Sequence, residues 1–155
     1  MSWRARLTEL GITLPEVAAP LAAYVPAVRT GDLVYTSGQL PIQGGALTRT
    51  GKVGVDVSPE DGHTLARICA LNALAAVDAL VGLDEVARVV KVVGFVASAP
   101  NFNGQPGVVN GASDLIGEVF GDAGAHARSA VGVSELPLDA PVEVELIVEL
   151  RAAAG

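Results

Sequence analysis

Cysteine, lysine and aromatic residues are scarce in this chain, and each scarcity removes a class of protein. The single cysteine, Cys69, rules out an internal disulfide framework and any multi-cysteine metal site, and a reducing, cytoplasmic setting fits it best. Only Lys52 and Lys91 are lysines, no basic run exists, and the formal net charge is −7. Phosphate backbones are gripped by clustered Lys and Arg, and bases stack on aromatic platforms, so nucleic acid is not an expected partner. No apolar run approaches the length of a bilayer span, and the opening Met1-Ser2-Trp3-Arg4-Ala5-Arg6-Leu7 lacks the apolar stretch of a signal peptide. Neither export nor a membrane is expected. A Ser-His-Asp constellation, a phosphate-cradling glycine loop and a metal-spaced His/Cys cluster are also missing, His63 and His126 being far apart in sequence.

What is present is apolar: half of the 155 residues are hydrophobic and 17% are charged. That length fits one domain, residues 1–155, with residues 1–20 as an N-terminal extension carrying a short helix. The polar surface left over is thin, so part of the apolar surface is expected to meet another subunit, unless an alanine- and valine-rich core absorbs it.

Residues 2 to 10 read as a helix capped by Ser2, with Trp3, Leu7 and Leu10 on one side and Gly11 as a stop, and Ile12 to Pro20 as an extended lead-in. Tyr24 to Val28 and Leu33 to Ser37 flank a turn-rich spacer and predict a hairpin. Gly38 to Val57 reads as a long surface connection with one short strand around Val53 to Val55. Ser58-Pro59-Glu60-Asp61 is a helix start, and the helix runs to Val81 with Gly82 as its end. Its dry stripe is Leu65, Ile68, Cys69, Ala73, Ala76, Val77 and Leu80, so Cys69 reads as a small buried hydrophobe rather than a nucleophile. Val89 to Ala97 predicts a strand buried on both faces with Lys91 at an edge, and Pro106 to Phe120 a second helix. Strands at 127–135 and 142–150 finish the chain. In the last, Val142, Val144, Leu146, Val148 and Leu150 share one face and Glu143, Glu145 and Glu149 the other. The order predicts an α+β layer, a sheet with both helices on one face.

Three separated patches resemble the RidA/YjgF family: Ala23 to Val28 running into Tyr35 to Pro41; Val92 to Val96, followed by Asn110; and His126 to Pro137 followed by Pro141 to Leu146. The resemblance covers roughly Tyr24 to Leu150. It implies a chorismate-mutase-like homotrimer with clefts between subunits, hydrolysing enamine or imine intermediates such as 2-aminoacrylate to 2-keto acids and ammonia without metal or organic cofactor. Carried over position by position, it implies Arg128, Glu143 and Tyr24 as catalytic residues and Ser37, Gly38, Asn110, Ala130 and Arg128 as substrate-binding ones.

The residue types suit those roles. A guanidinium matches a carboxylate with two coplanar N–H donors, which lysine cannot do, and Ala127, Ser129, Ala130 and Gly132 leave room beside it. The alternative is an edge arginine paired with Glu143, Glu145 or Glu149. An ionised Glu143 accepts a proton from water attacking the imine carbon, or is a solvated strand carboxylate. Tyr24 closes the cleft or is a half-buried strand tyrosine; Ser37-Gly38 supplies a hydroxyl and a close backbone N–H or merely ends a strand; Asn110 makes a backbone or interface contact otherwise. If residues 127 to 150 form one hairpin around Pro137 to Ala140, Glu143 lies opposite Ser134, about 20 Å of strand from Arg128, so the two meet across a subunit boundary. His126 stands where many members have proline or alanine, and Ala130 where they often have cysteine, so the pocket is expected to be reshaped. His126 is a ligand-contacting base or a loop residue. The rival reading is a non-catalytic trimer binding a small keto acid through the same arginine; endoribonuclease activity fits the acidic balance poorly.

Overall fold

The computed structural model describes residues 2–153. Helix α1, Trp3–Glu9, starts where Ser2 accepts a hydrogen bond from the Ala5 amide. Its inner side buries Leu7, and the Trp3 indole donates to the Val86 carbonyl at 2.8 Å and meets Phe120 edge-on at 5.0 Å. Strands β1, Ala27–Thr30, and β2, Leu33–Thr36, form the expected hairpin, shifted along the chain by about one turn's worth of residues at its start. Pro26 has no N–H for a ladder, and Gly31, at φ 58°, closes the two-residue loop.

The 38–57 connection is less superficial than its glycines suggest. It carries a small hairpin, β3 (Ile42–Gln43) and β4 (Ala46–Leu47), and then dives inward. Val53 and Val57 are buried, and Val53 bridges to the end of the next long strand, donating to the Ala97 carbonyl and accepting from the Ala99 amide. The expected strand at 53–55 shrinks to two isolated bridges from Val53, to Ser98 and to Val57, and Val55 faces solvent.

Helix α2, Pro59–Val81, begins with Ser58 accepting from the Asp61 amide and ends at Gly82, as expected from its caps. It is long and apolar enough to cross a membrane by composition, contrary to the expectation that no segment is. Its apolar side chains instead pack into the core; Leu80 alone of the expected stripe is exposed. Strand β5, Val86–Ala97, helix α3, Gln105–Phe120, strand β6, Ala127–Val133, and strand β7, Val142–Leu150, complete the chain.

The main sheet has the order β1-β2-β7-β5-β6, with β5 and β6 parallel and the other pairs antiparallel. The expected hairpin between the last two strands does not exist. β6 joins the edge in parallel to β5 through the α3 crossover, and β7 inserts between β2 and β5. The expectation for β5 is also corrected: it is central, two register shifts interrupt its alternation, and Val93, Phe95 and Lys91 are only half-buried on the open face. Lys91 is therefore at no edge.

Both long helices cover one face of the sheet, over a core of Val92, Val96, Val144, Leu146, Leu74, Leu115 and their neighbours. α2 and α3 touch closely at Gly111, where a Cβ would run into the His63 carbonyl. Arg67 clasps Glu118 with two hydrogen bonds of 3.2 and 3.1 Å across that junction. The second face carries Glu143, Glu145 and Glu149 of β7, in the alternation read from the sequence, beside exposed Val28, Tyr35 and Val131.

Candidate functional site

The side chains singled out from the sequence fall into two groups, on opposite faces of the sheet. Arg128 pairs in register with Val92, whose side chain lies in the core, so Arg128 points toward the helix-covered face. There its Nη1 donates to Asn110 Oδ1 at 2.7 Å and to Ser113 Oγ at 3.2 Å, and its Nη2 to the Pro106 carbonyl at 3.4 Å, all on α3. Ala130, two residues on along the same face, packs against the core. Its neighbour Gly94 leaves space that Val109 fills.

Among the described residues Arg128 meets no carboxylate. In a chain of net charge −7, Arg4, Arg6, Arg49, Arg67 and Arg88 each pair with one, and Arg29 and Arg151, which also lack one, are exposed and bond backbone carbonyls, whereas Arg128 is half-buried. Glu149, one of the partners weighed for Arg128, bonds Arg88 instead. A half-buried guanidinium held only by neutral oxygens keeps its charge available to a ligand.

The second group surrounds Glu143. Its half-buried carboxylate lies against Gly38, where a Cβ would displace it from its present position. Burial, reinforced by the neighbouring Glu145, raises the Glu143 pKa above that of an ordinary glutamate. Ser37 donates its hydroxyl to the Val25 carbonyl at 2.6 Å, and the Tyr24 hydroxyl accepts from the Leu21 amide at 3.3 Å. Tyr24 and Gly38 share a narrow crevice of about 30 Å³, room for a water or two and no more.

Within one chain the groups do not meet. Arg128 is level with Val92 and Glu143 with Phe95, three residues along β5 and one strand to either side of it, which is roughly 14 Å between backbones, with the side chains on opposite faces. The route by which the sequence predicted their separation was mistaken, since it assumed a hairpin. The separation itself stands, because β5 lies between them.

Two features escaped the sequence reading. Ser113 was not singled out, although it follows Asn110 by three residues and so shares its helix face. His126, left open between base and loop residue, bonds Ser113 Oγ through Nε2 at 2.9 Å and the Gly124 carbonyl through Nδ1 at 2.6 Å. Cys69, as expected, is buried; burial first and the Glu143 charge second push its thiol pKa up, so it stays a neutral thiol.

A mixed sheet backed on one face by two helices, with an edge-strand arginine that lacks a carboxylate partner among the described residues, defines an α+β domain. Residues 15–150 match the family described as Endoribonuclease L-PSP, and the chain belongs to that family, which is also the RidA/YjgF family. It is 48% identical over 149 residues to Protein TCP17 of Trypanosoma cruzi, covering 95% of this chain and 93% of that one. It is 34% identical over 140 residues to a 2-iminobutanoate/2-iminopropanoate deaminase of Dermatophagoides farinae, covering 90% and 95%. Among solved structures it superposes on a putative endoribonuclease of Shewanella oneidensis with a TM-score of 0.92 at 34% identity, covering 97% of this chain and all of the other. Escherichia coli TdcF with bound serine is a more distant likeness, with a TM-score of 0.65 at 28% identity over 90% and 96%.

Proposed function

We propose that the protein hydrolyses small carboxylated imines, and the enamines that tautomerise to them, giving 2-keto acids and ammonia. The observation that carries this reading is the guanidinium of Arg128, half-buried, held by neutral oxygens and lacking a carboxylate partner among the described residues. Relatives named imine deaminases, and one that was crystallised with serine, support a carboxylated small molecule as its ligand.

The chemistry follows from the two groups once they face each other across two copies of the chain. Arg128 takes the substrate carboxylate in a fork of two N–H donors. Water adds to the carbon of the protonated imine as its proton passes to the Glu143 carboxylate, giving a neutral carbinolamine. Glu143 then returns its proton to the nitrogen, the C–N bond breaks, the hydroxyl proton is released as C=O forms, and ammonia leaves. The raised pKa of Glu143 makes it a better proton acceptor than an ordinary glutamate, which suits it to this exchange. Gly38 leaves room for the carboxylate, and Tyr24 lines the crevice that adjoins Gly38. The acidic balance and the two lysines argue against RNA as the substrate despite the family's description.

The test is ammonia release from an imino acid generated in place by an amino-acid oxidase, measured against the uncatalysed background. Arg128→Ala abolishes the acceleration, and Arg128→Lys, a charge without the planar fork, fails to restore it, with a loss of about a hundredfold or more in kcat/KM. Should the wild-type protein bind pyruvate tightly without accelerating ammonia release, the keto-acid-binding reading takes its place.

A further inference from the structure

The oxygens around Arg128 do more than neutralise its donors; they select which donors remain. Both Nη1 hydrogens are occupied, by Asn110 Oδ1 and Ser113 Oγ, and one Nη2 hydrogen reaches the Pro106 carbonyl. The Nε–H and one Nη2 hydrogen are left without a partner among the described residues, and Nε and Nη2 share the side-on edge of the guanidinium, the edge that a carboxylate fits.

Behind that arrangement runs a polar chain in which each donor is fixed by the last acceptor. The Gly124 carbonyl can only accept, so His126 Nδ1 carries the hydrogen of that 2.6 Å contact. In the neutral ring Nε2 is then an acceptor, so the Ser113 hydroxyl donates to it at 2.9 Å. With its hydrogen committed, Ser113 Oγ presents a lone pair to Arg128 Nη1 at 3.2 Å. Donation therefore runs in one direction, from Arg128 through Ser113 and His126 to a backbone oxygen. The far end is closely packed: Gly124 is buried with no room for a Cβ against the Ile116 carbonyl.

We propose that Ser113 and His126 are positioning residues for Arg128, holding the guanidinium plane so that its Nε/Nη2 fork is presented to the substrate carboxylate. The inference rests on the deaminase reading for the identity of the ligand, and on the hydrogen-bond geometry for everything else. Neither residue touches substrate. Removing either leaves the charge of Arg128 in place and loosens its orientation, so carboxylate affinity suffers more than the bond-breaking steps.

The experiment compares wild-type protein with Ser113→Ala, His126→Leu and His126→Gln, whose amide can both accept and donate. The predicted result is a KM for 2-iminopropanoate raised about tenfold in Ser113→Ala and in His126→Leu, with kcat changed by less than about twofold and the double variant no worse than either single one. His126→Gln recovers most of the loss. The dissociation constant for pyruvate shifts in parallel, while that for pyruvamide, which has no carboxylate, does not. Nitrogen NMR of His126 shows the Nδ1–H tautomer in the wild type. An Nε2–H neutral tautomer, an unchanged KM in a folded variant, or an equal loss for pyruvate and pyruvamide overturns the positioning role. If the wild type neither releases ammonia nor binds pyruvate, the deaminase reading falls and the positioning role with it; if it does both and the variants match it, the positioning role alone falls.

Discussion

Glu143 is the residue whose environment is most at odds with its charge. It is half-buried beside a second carboxylate, and its proton is held more tightly in the folded chain than in an unfolded one. The sign follows from linkage: between the ordinary value of 4.5 and the raised folded-state value the native protein binds more protons than the unfolded chain, so this residue's contribution to stability falls as pH rises through that window. Glu143→Gln should accordingly raise the urea midpoint at pH 7 and leave it unchanged at pH 4, where the wild-type carboxyl is protonated as well. The same substitution should lower kcat by a factor of about 10² to 10⁴ if the carboxylate carries the proton. In the wild type, kcat should fall on acidification at a pH above that of an ordinary glutamate, a limb that a pH-rate profile resolves. A profile flat down to pH 4.5 would remove Glu143 from the proton transfer.

At the scale of elements, the junction of α2 and α3 is what places Asn110 and Ser113 over β6. The two helices approach closely enough at Gly111 that a methyl group meets the His63 carbonyl, and backbone cannot swing aside as a side chain would. Gly111→Ala should therefore destabilise the protein by about 1 to 3 kcal/mol in urea unfolding. Because it lies one residue from Asn110, it should also weaken pyruvate binding in the fraction that remains folded. The helices themselves were legible in the sequence: Ser58-Pro59 and Gly82 mark the ends of α2, and the apolar spacing of α3 survived its several glycines. Strand pairing was not. Nothing local to 127–150 says that β6 prefers β5, because that choice is made by the α3 crossover, and the short, proline-containing link at 134–141 is equally compatible with a hairpin.

At the scale of the whole molecule, one chain holds the Arg128 and Glu143 groups apart on opposite faces of the sheet and leaves an open sheet face bearing Val28, Tyr35 and Val131. Association that covers this face and brings Arg128 of one copy to Glu143 of the next would resolve both features. Light scattering should then report three times the chain's 15.7 kDa. Mixing offers a sharper check: Arg128→Ala and Glu143→Gln, each inactive, should regain up to about a quarter of wild-type activity when refolded together in equal amounts, since each shared pocket draws its two residues from different copies. No recovery, with mixed oligomers demonstrated, would place both residues in one copy's pocket and contradict the separation that β5 imposes.

Composition and local pattern alone determined that this chain builds an acidic α+β domain with a buried, unreactive cysteine, two capped helices and a last strand with valines on one side and glutamates on the other. Those features follow from periodicity, capping and charge, which act between residues close in sequence. Only the tertiary structure decided that β6 lies at the edge beside β5, that Val53 reaches the core, and that Arg128 is held by Asn110 and Ser113 and lacks a carboxylate partner among the described residues. Such pairings join residues far apart along the chain, and they are selected by which apolar faces can be covered together.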